Sequence, residues 1–231
     1  MQPLGRPPRN PLEEYFVGNS GPLLHKWHHY FEIYHRHFER FRGRAPVVLE
    51  IGVHHGGSLH MWREYFGEGA AIIGVDVIPE CARLEGPQIT IVTGDQFDRG
   101  FLASLRTRFP RVDILIDDGG HHMDQQIATF EELYPHVQPE GVYLCEDLHT
   151  SYWDRFGGGL RRAGSYIEYS KAFIDRLNGW HHPETAPAPD AFARSTSSLH
   201  YYDSVLVIEK RPVTKPTHSR TGRPTLTPGG R

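Results

Sequence analysis

The chain has 231 residues, enough for one well-filled α/β domain and too few for two large ones. Its 38% hydrophobic and 23% charged content is that of a globular protein, and a net charge of −3 argues against nucleic acid or an anionic membrane surface as partner. No apolar run reaches the length of a membrane span and residues 1–19 have no signal-peptide core. Cys81 and Cys145 make neither a disulfide framework nor a zinc pattern, so a reducing cytoplasm is the expected compartment.

Residues 1–22, rich in Pro, Gly and Arg, read as a flexible N-terminal arm before a domain spanning 23–211. Then "LLHKWHHYFEIYHRHFERFRG" carries Trp27, Phe31, Tyr34, Phe38 and Phe41 at steps of four and three, which predicts one helical face packed on a core. Five short β-branched-rich runs follow: "VVLEIGV", "AIIGVDV", "ITIVTGD", "VDILIDD" and "GVYLCED". They are too continuous for half-exposed strands and predict a parallel sheet covered on both faces. "GGSLHMWREYFG" and "MDQQIATFEELYPHV" supply helical crossovers, the second with Ile127, Phe130, Leu133 and Val137 on one face. The expected fold is therefore a doubly wound, mostly parallel Rossmann-like sheet. "GSYIEYSKAFIDRLNGW" predicts a further helix, "HHPETAPAPDAFARSTSS" a long loop, and "LHYYDSVLVIEKR" a final antiparallel strand or strand pair. From Lys210 onward there are six basic residues and no acidic one, so 212–231 read as a disordered tail.

Every one of the five strands carries an acid at or near its end: Glu50, Asp76, Asp95, Asp117 with Asp118, and Glu146 with Asp147. Open α/β sheets bind ligands beyond the carboxyl ends of their strands, so acids on that edge mark it as functional. The loop "EIGVHHGGS" places Gly52, Gly56 and Gly57 where a backbone can approach a ligand without Cβ interference, but it is not the GxGxxG of dinucleotide binders. Asp76 stands where a carboxylate can accept both hydroxyls of a ribose, and Asp95 or Gln96 where an adenine edge would lie.

This order of motifs, with "IDDGGHH" and "CED" the most specific among them, resembles class I S-adenosylmethionine-dependent methyltransferases. More narrowly it is similar to the metal-dependent sugar O-methyltransferases of antibiotic biosynthesis, of the mycinamicin and tetracenomycin type. The resemblance runs from about Leu24 to Lys210 and corresponds to the catalytic domain of the mycinamicin-type enzymes, which carry a further N-terminal domain. It implies S-adenosyl-L-methionine and Mg²⁺, or another divalent cation, as cofactors, and a small hydroxylated acceptor, a sugar of a glycosylated natural product, as partner. It leaves room for a homo-oligomer.

Methyl transfer from a sulfonium to an oxygen is limited by the reluctance of the alcohol to lose its proton, and a divalent cation lowers that barrier. Asp118, Glu146 and Asp147 leave the ends of two strands expected to be adjacent, so their carboxylates can converge on a hard cation. Neighbouring residues on a regular strand point to opposite faces, so Glu146 and Asp147 share one metal only if the chain turns there. Imidazole, with an ordinary pKa near ~6.5, suits His121 as the base that takes the acceptor's proton. The resemblance carries the same roles onto Asp118, Glu146, Asp147 and His121. It completes the donor-binding set as Tyr30, Glu50, Gly52, Gly56, Ser58, Asp76, Asp95, Gln96 and Asp117, with His122 supporting. Tyr152, Trp153 and the Pro-rich loop near 181–195 are expected acceptor walls, since aromatics stack on sugar or polyketide faces.

Two other readings compete. One is a metal-dependent hydroxylase of the cephalosporin-hydroxylase-like group, weakened by the want of a two-His-one-carboxylate triad. The other is a non-catalytic S-adenosylmethionine-binding module, because a retained fold does not ensure retained chemistry.

Overall fold

The computed structural model describes residues 4–225. The five sequence-predicted strands form as β1 (Val47–Ile51), β2 (Ala71–Asp76), β3 (Ile89–Thr93), β4 (Ile114–Asp117) and β5 (Val142–Cys145). They pair in parallel, and the hairpin β6 (Thr196–Tyr202) and β7 (Val205–Lys210) completes a sheet of order β3-β2-β1-β4-β5-β7-β6. Strand β7 runs antiparallel to β5, and β6 antiparallel to β7. The last run of the sequence is thus a strand pair.

Alternation along each strand sorts the core into two layers. Val48, Ile72, Ile114, Ile116 and Val142 face one side, where they meet Phe31, Tyr34, Phe38, Trp62 and Phe66. Leu49, Ile73, Leu115, Tyr143 and Ile208 face the other, against Leu102, Leu105, Phe130, Phe173 and Phe192. The first layer is built on helices α1 (Pro11–Gly18), α2 (Tyr30–Phe38) and α3 (Gly57–Phe66); the second on α4 (Arg99–Arg108), α5 (Met123–Leu133), α6 (Tyr166–Leu177) and α7 (Ala191–Ser195). Residues buried on both faces explain why the strands read as continuous apolar runs.

Three expectations change. Residues 11–18 are a helix where a loose arm was expected. The Asn10 side chain accepts from the Leu12 and Glu13 amides, Pro11 opens the helix, and Leu12 is fully buried. Residues 24–29 do not join the following helix: α2 begins at Tyr30, and Trp27, placed on its apolar face by spacing alone, is 55% exposed. Of the loop expected at 181–198, residues 191–195 form α7 under an Asp190 cap that accepts from the Ala193 amide, and residues 196–198 open β6. In the basic tail, 212–225 carry no helix or strand, and 226–231 lie outside the described residues. No helix of the described residues is long and apolar enough to cross a membrane.

The strand order reverses between β1 and β4, with β2 and β3 to one side and β5 to the other. A crevice opens at that switch point beyond the strand carboxyl ends. Register places the acids there. Asp117 stands beside Cys145, so the next residues, Asp118 and Glu146, leave neighbouring strand ends side by side.

Candidate active site

A cavity of about 430 Å³ occupies the crevice, lined at one end by Gly52, Asp76 and Asp95 and at the other by Asp118, His121 and Asp147. The glycine loop forms its floor. Gly52 holds φ 96°, and a Cβ there would lie 2.0 Å from the Asp118 carbonyl oxygen, so only glycine lets the loop pass under the acidic turn. Asp76 shapes the same loop. One carboxylate oxygen accepts from the Val53 and His54 amides (2.8 and 3.0 Å), and the other from Ile78 (2.9 Å). Asp95 is exposed at the rim, where it accepts from the Phe97 amide.

Of the residues expected to meet a donor, Glu50, Asp117 and Tyr30 do not border the cavity, while Ser58 and Gln96 do. Glu50 is fully buried beneath the loop; its Oε2 accepts from Ser58 Oγ (2.9 Å) and Trp62 Nε1 (3.2 Å). That bond makes Ser58 a partner of Glu50, although Ser58 also borders the cavity. Asp117 is likewise fully buried, and the Gln96 amide is turned inward to serve it. Gln96 Nε2 donates to Asp117 Oδ1 (2.7 Å) and Thr129 Oγ1 (2.9 Å), while Gln96 Oε1 accepts from the Gly120 amide (3.0 Å). Gln96 therefore pins the Gly119–Gly120 turn from the cavity wall. Burial pushes the carboxyls of both Glu50 and Asp117 up to about 7. Tyr30 is placed on the acid side: its hydroxyl donates to Asp147 Oδ1 at 2.7 Å.

The acids converge as the strand ends predict. Asp147 takes φ 55°, a turn at the strand end that brings its carboxylate toward Asp118 and His121. His121 Nε2 lies 3.5 Å from Asp147 Oδ2 and 3.9 Å from Asp118 Oδ1. These three side chains bring one ligand atom each within 4.8 Å of one another. Glu146 does not join that group. Its Oε2 accepts from Lys26 Nζ at 2.8 Å, and its buried Oε1 has no hydrogen-bond partner. Burial, then the neighbouring Asp118 charge, drives the Glu146 carboxyl well above the usual range.

Lys26 is the residue that sequence reasoning missed. Its ammonium donates to both Asp118 and Glu146 and stands 3.9 Å from Glu50. Burial works against the charge, but the carboxylates of Asp118, Glu146 and Glu50 more than reverse this and hold it well above its ordinary value. The available signal was one lysine inside a His- and aromatic-rich stretch, hidden by assigning that stretch to a helix.

His122 turns away from His121: its ring packs between Phe97 and Phe156, with centroids 5.8 and 5.3 Å away. Tyr152 and Trp153 are exposed, with Trp153 packed edge-on against His149 at 4.6 Å. Residues 181–195 line no part of the cavity.

The donor set fits a hard divalent cation. Asp118 and Asp147 supply converging oxygens, and Oε1 of Glu146 is a buried carboxyl oxygen without a hydrogen-bond partner. One imidazole among carboxylates is not the two-His-one-carboxylate set of a non-haem iron centre. His149, the other nearby imidazole, is held by Ser204 Oγ at 2.6 Å.

Residues 49–148 match the family model described as a methyltransferase domain. The chain is 38% identical over 202 residues to demethylmacrocin O-methyltransferase of Streptomyces fradiae, covering 81% of this chain and 51% of that protein. It is 36% identical over 197 residues to 8-demethyl-8-alpha-L-rhamnosyl tetracenomycin-C 2'-O-methyltransferase of Streptomyces olivaceus, covering 80% and 52%. Among solved structures, it superposes with a TM-score of 0.76 and 33% identity on the MycE methyltransferase of the mycinamycin pathway in complex with Mg, SAH and mycinamycin VI, over 87% of this chain and 53% of that one. The chain thus spans about half the length of the curated relatives it matches.

Proposed function

We propose that the chain, whose residues 49–148 match a methyltransferase domain and which is similar to sugar O-methyltransferases of antibiotic pathways, transfers a methyl group from S-adenosylmethionine to a hydroxyl of a small glycosylated acceptor, with Mg²⁺ or a similar cation. The observation that carries this reading is the single cavity with the glycine loop and Asp76 at one end and Asp118, His121 and Asp147 at the other. Donor and acceptor hydroxyl would meet inside it.

The backbone of Gly52 and the rim residue Asp95 would border the donor, and Asp76 would hold the loop in shape while offering its remaining lone pairs to the ribose. Asp118 and Asp147, with Glu146 beside them, would hold the cation, which when bound acidifies a hydroxyl near it. His121 Nε2 takes the proton of the acceptor hydroxyl. The oxygen's lone pair forms the new bond to the methyl carbon as the carbon–sulfur bond breaks, leaving a methyl ether and S-adenosylhomocysteine. Asp147, 3.5 Å from Nε2, stabilises the imidazolium until the proton passes to water. Trp153, packed on His149, and its neighbour Tyr152 are exposed outside the cavity lining and are candidate walls for the acceptor.

The direct test is mass spectrometry of the protein incubated with S-adenosylmethionine, Mg²⁺ and a panel of glycosylated and phenolic acceptors. A product heavier by one methyl-for-hydrogen exchange is expected on a glycoside. Tight binding of NAD with none of S-adenosylhomocysteine would overturn the reading.

A further inference from the structure

Three acids, Glu50, Asp118 and Glu146, gather around one ammonium, that of Lys26. The lysine side chain is 4% exposed, so its charge is committed to this cluster rather than shared with solvent. It does not satisfy every oxygen of the group: Oε1 of Glu50 and Oε1 of Glu146 are buried without a hydrogen-bond partner. Buried like charges repel, and an ammonium between two of them is what keeps the arrangement together when nothing else does.

We propose that Lys26 is the protein's own counter-cation for this cluster, holding Asp118 and Glu146 together until a divalent cation takes over part of that task, and that it competes with the cation for them. The inference rests on reading Asp118, Glu146 and Asp147 as the cation site. Two cations attracted to the same carboxylates repel each other strongly in a buried setting. Loading therefore costs the ammonium part of its hold on Asp118. The lysine sits on the non-helical stretch before α2, and the chain just before it is seated on the donor loop: a Cβ at Gly57 would lie 2.3 Å from the Leu23 carbonyl oxygen. Leu23, Leu24 and Lys26 border the cavity together. Movement of the ammonium is consequently felt at the donor end. Lys26 acts as a positioning residue that sets the affinity for the cation and keeps the site assembled without it.

The test compares Lys26→Met, which keeps length and removes charge, with Lys26→Arg, which keeps charge. Mg²⁺ binding is measured by calorimetry on protein saturated with S-adenosylhomocysteine, and thermal melting is followed in EDTA and in Mg²⁺. Lys26→Met is expected to bind Mg²⁺ about tenfold or more tightly than the wild type, a usual size for coupling between two sites. It should also melt lower than the wild type in EDTA and gain more from Mg²⁺. Lys26→Arg should stay near the wild type in both. Should Lys26→Met fail to fold even with Mg²⁺, Lys26→Gln is read in its place. Equal or weaker Mg²⁺ binding by the uncharged variant overturns the competition, as would tightening of the same size in Lys26→Arg. Wild-type protein that binds Mg²⁺, with no gain on losing the charge, sinks only the role of Lys26. Absence of Mg²⁺ binding in wild type and variants alike, with S-adenosylhomocysteine still bound, sinks the cation site as well.

Discussion

Asp147 and His121 both hold their backbones in the left-handed region, at φ 55° and 57°, and Thr150 Oγ1 bonds to the carbonyl oxygens of both. The two turns bring the carboxylate to 3.5 Å from the imidazole. Left-handed backbone costs about 1–3 kcal/mol at a residue with a side chain, and such strain persists where surrounding structure imposes it. His121→Ala is expected to lower turnover ~10²–10⁴-fold, the range for losing a general base. His122→Ala, whose ring packs on Phe97 and Phe156, should cost much less. Thr150→Val, which unties both turns, should lower turnover while leaving S-adenosylhomocysteine binding intact. Steady-state kinetics on the three variants decides. Near-normal turnover in His121→Ala with loss in His122→Ala would reverse the assignment.

Activity is expected to vanish in EDTA and return with Mg²⁺. Asp118→Asn and Asp147→Asn should each abolish Mg²⁺ binding in calorimetry and keep S-adenosylhomocysteine binding within about tenfold, because neither side chain shapes the donor loop. Glu146→Gln separates two roles for a residue that the structure leaves on Lys26. Loss of Mg²⁺ binding makes it a ligand, and retention makes it a partner of the lysine. Full turnover in chelator would show that the acids only shape the pocket.

Asp76 supports the donor loop from below as well as facing the cavity, since three backbone amides donate to it. Asp76→Ala should weaken S-adenosylhomocysteine binding by ~1.5–3 kcal/mol, the range for a lost charge-assisted bond. It should also lower the melting temperature in the absence of ligand, because the Val53 and His54 amides lose their acceptor. Asp76→Asn keeps one acceptor oxygen and should recover part of the melting temperature but less of the affinity.

The strands were legible because Val, Ile and Leu runs bounded by acids and glycines leave little else for Val47–Ile51 or Ile114–Asp117 to be. The edge that carries the site followed from the acids at the strand ends, since an open α/β sheet binds ligands beyond those ends. Which of two adjacent residues faces the cavity did not, because it depends on where each strand stops and turns. Asp117 and Asp118 are neighbours, yet one is fully buried on Gln96 while the other borders the cavity. The partners of Gln96 and Tyr30 were illegible for a related reason: each lies on a segment distant in sequence, Thr129 for one and Asp147 for the other. Lys26 stayed hidden because Trp27, Phe31 and Tyr34 keep helical spacing across a stretch that is not helical before Tyr30.

Asp117 ties stability to pH. Its carboxyl stands near 7 in the folded chain against an ordinary 3.8, raised first by burial. A group with a raised folded value contributes stability that is full below its unfolded value and lost as pH climbs through the folded one. Ionisation of Asp117 therefore destabilises the fold increasingly between about pH 4 and pH 7. Asp117→Asn, neutral throughout, should gain on the wild type over that window, by ~2–4 kcal/mol at about pH 8, and the gain should disappear near about pH 4. Urea unfolding of both proteins across the range reads this directly. A difference that does not change with pH would mean that Asp117 is ionised in the folded chain.

Gly52 joins the two halves of the site. Its amide donates to the Val75 carbonyl on the β2 side, and its missing side chain leaves room for the Asp118 carbonyl on the β4 side. Gly52→Ala puts a methyl group 2.0 Å from that oxygen and 3.2 Å from the Gly119 Cα, at φ 96°, where side chains are strained in any surroundings. Neither contact can relax by a rotamer change, because both partners are backbone. The turn after β4 must move, and with it Asp118 and His121. Gly52→Ala should therefore weaken S-adenosylhomocysteine and Mg²⁺ binding together, each by more than about tenfold, and destabilise the fold by ~2–4 kcal/mol, in the range of forced overpacking and backbone strain. Gly56→Ala is the control. It too holds a positive φ, 81°, but its added Cβ would meet only the flexible end of Leu84 at 3.0 Å, so strain without displacement of Asp118 is expected. It should weaken donor binding and leave Mg²⁺ affinity near the wild-type value. Parallel loss of both ligands in Gly56→Ala would show that loop strain alone, without the close approach at Gly52, couples the two ends of the cavity.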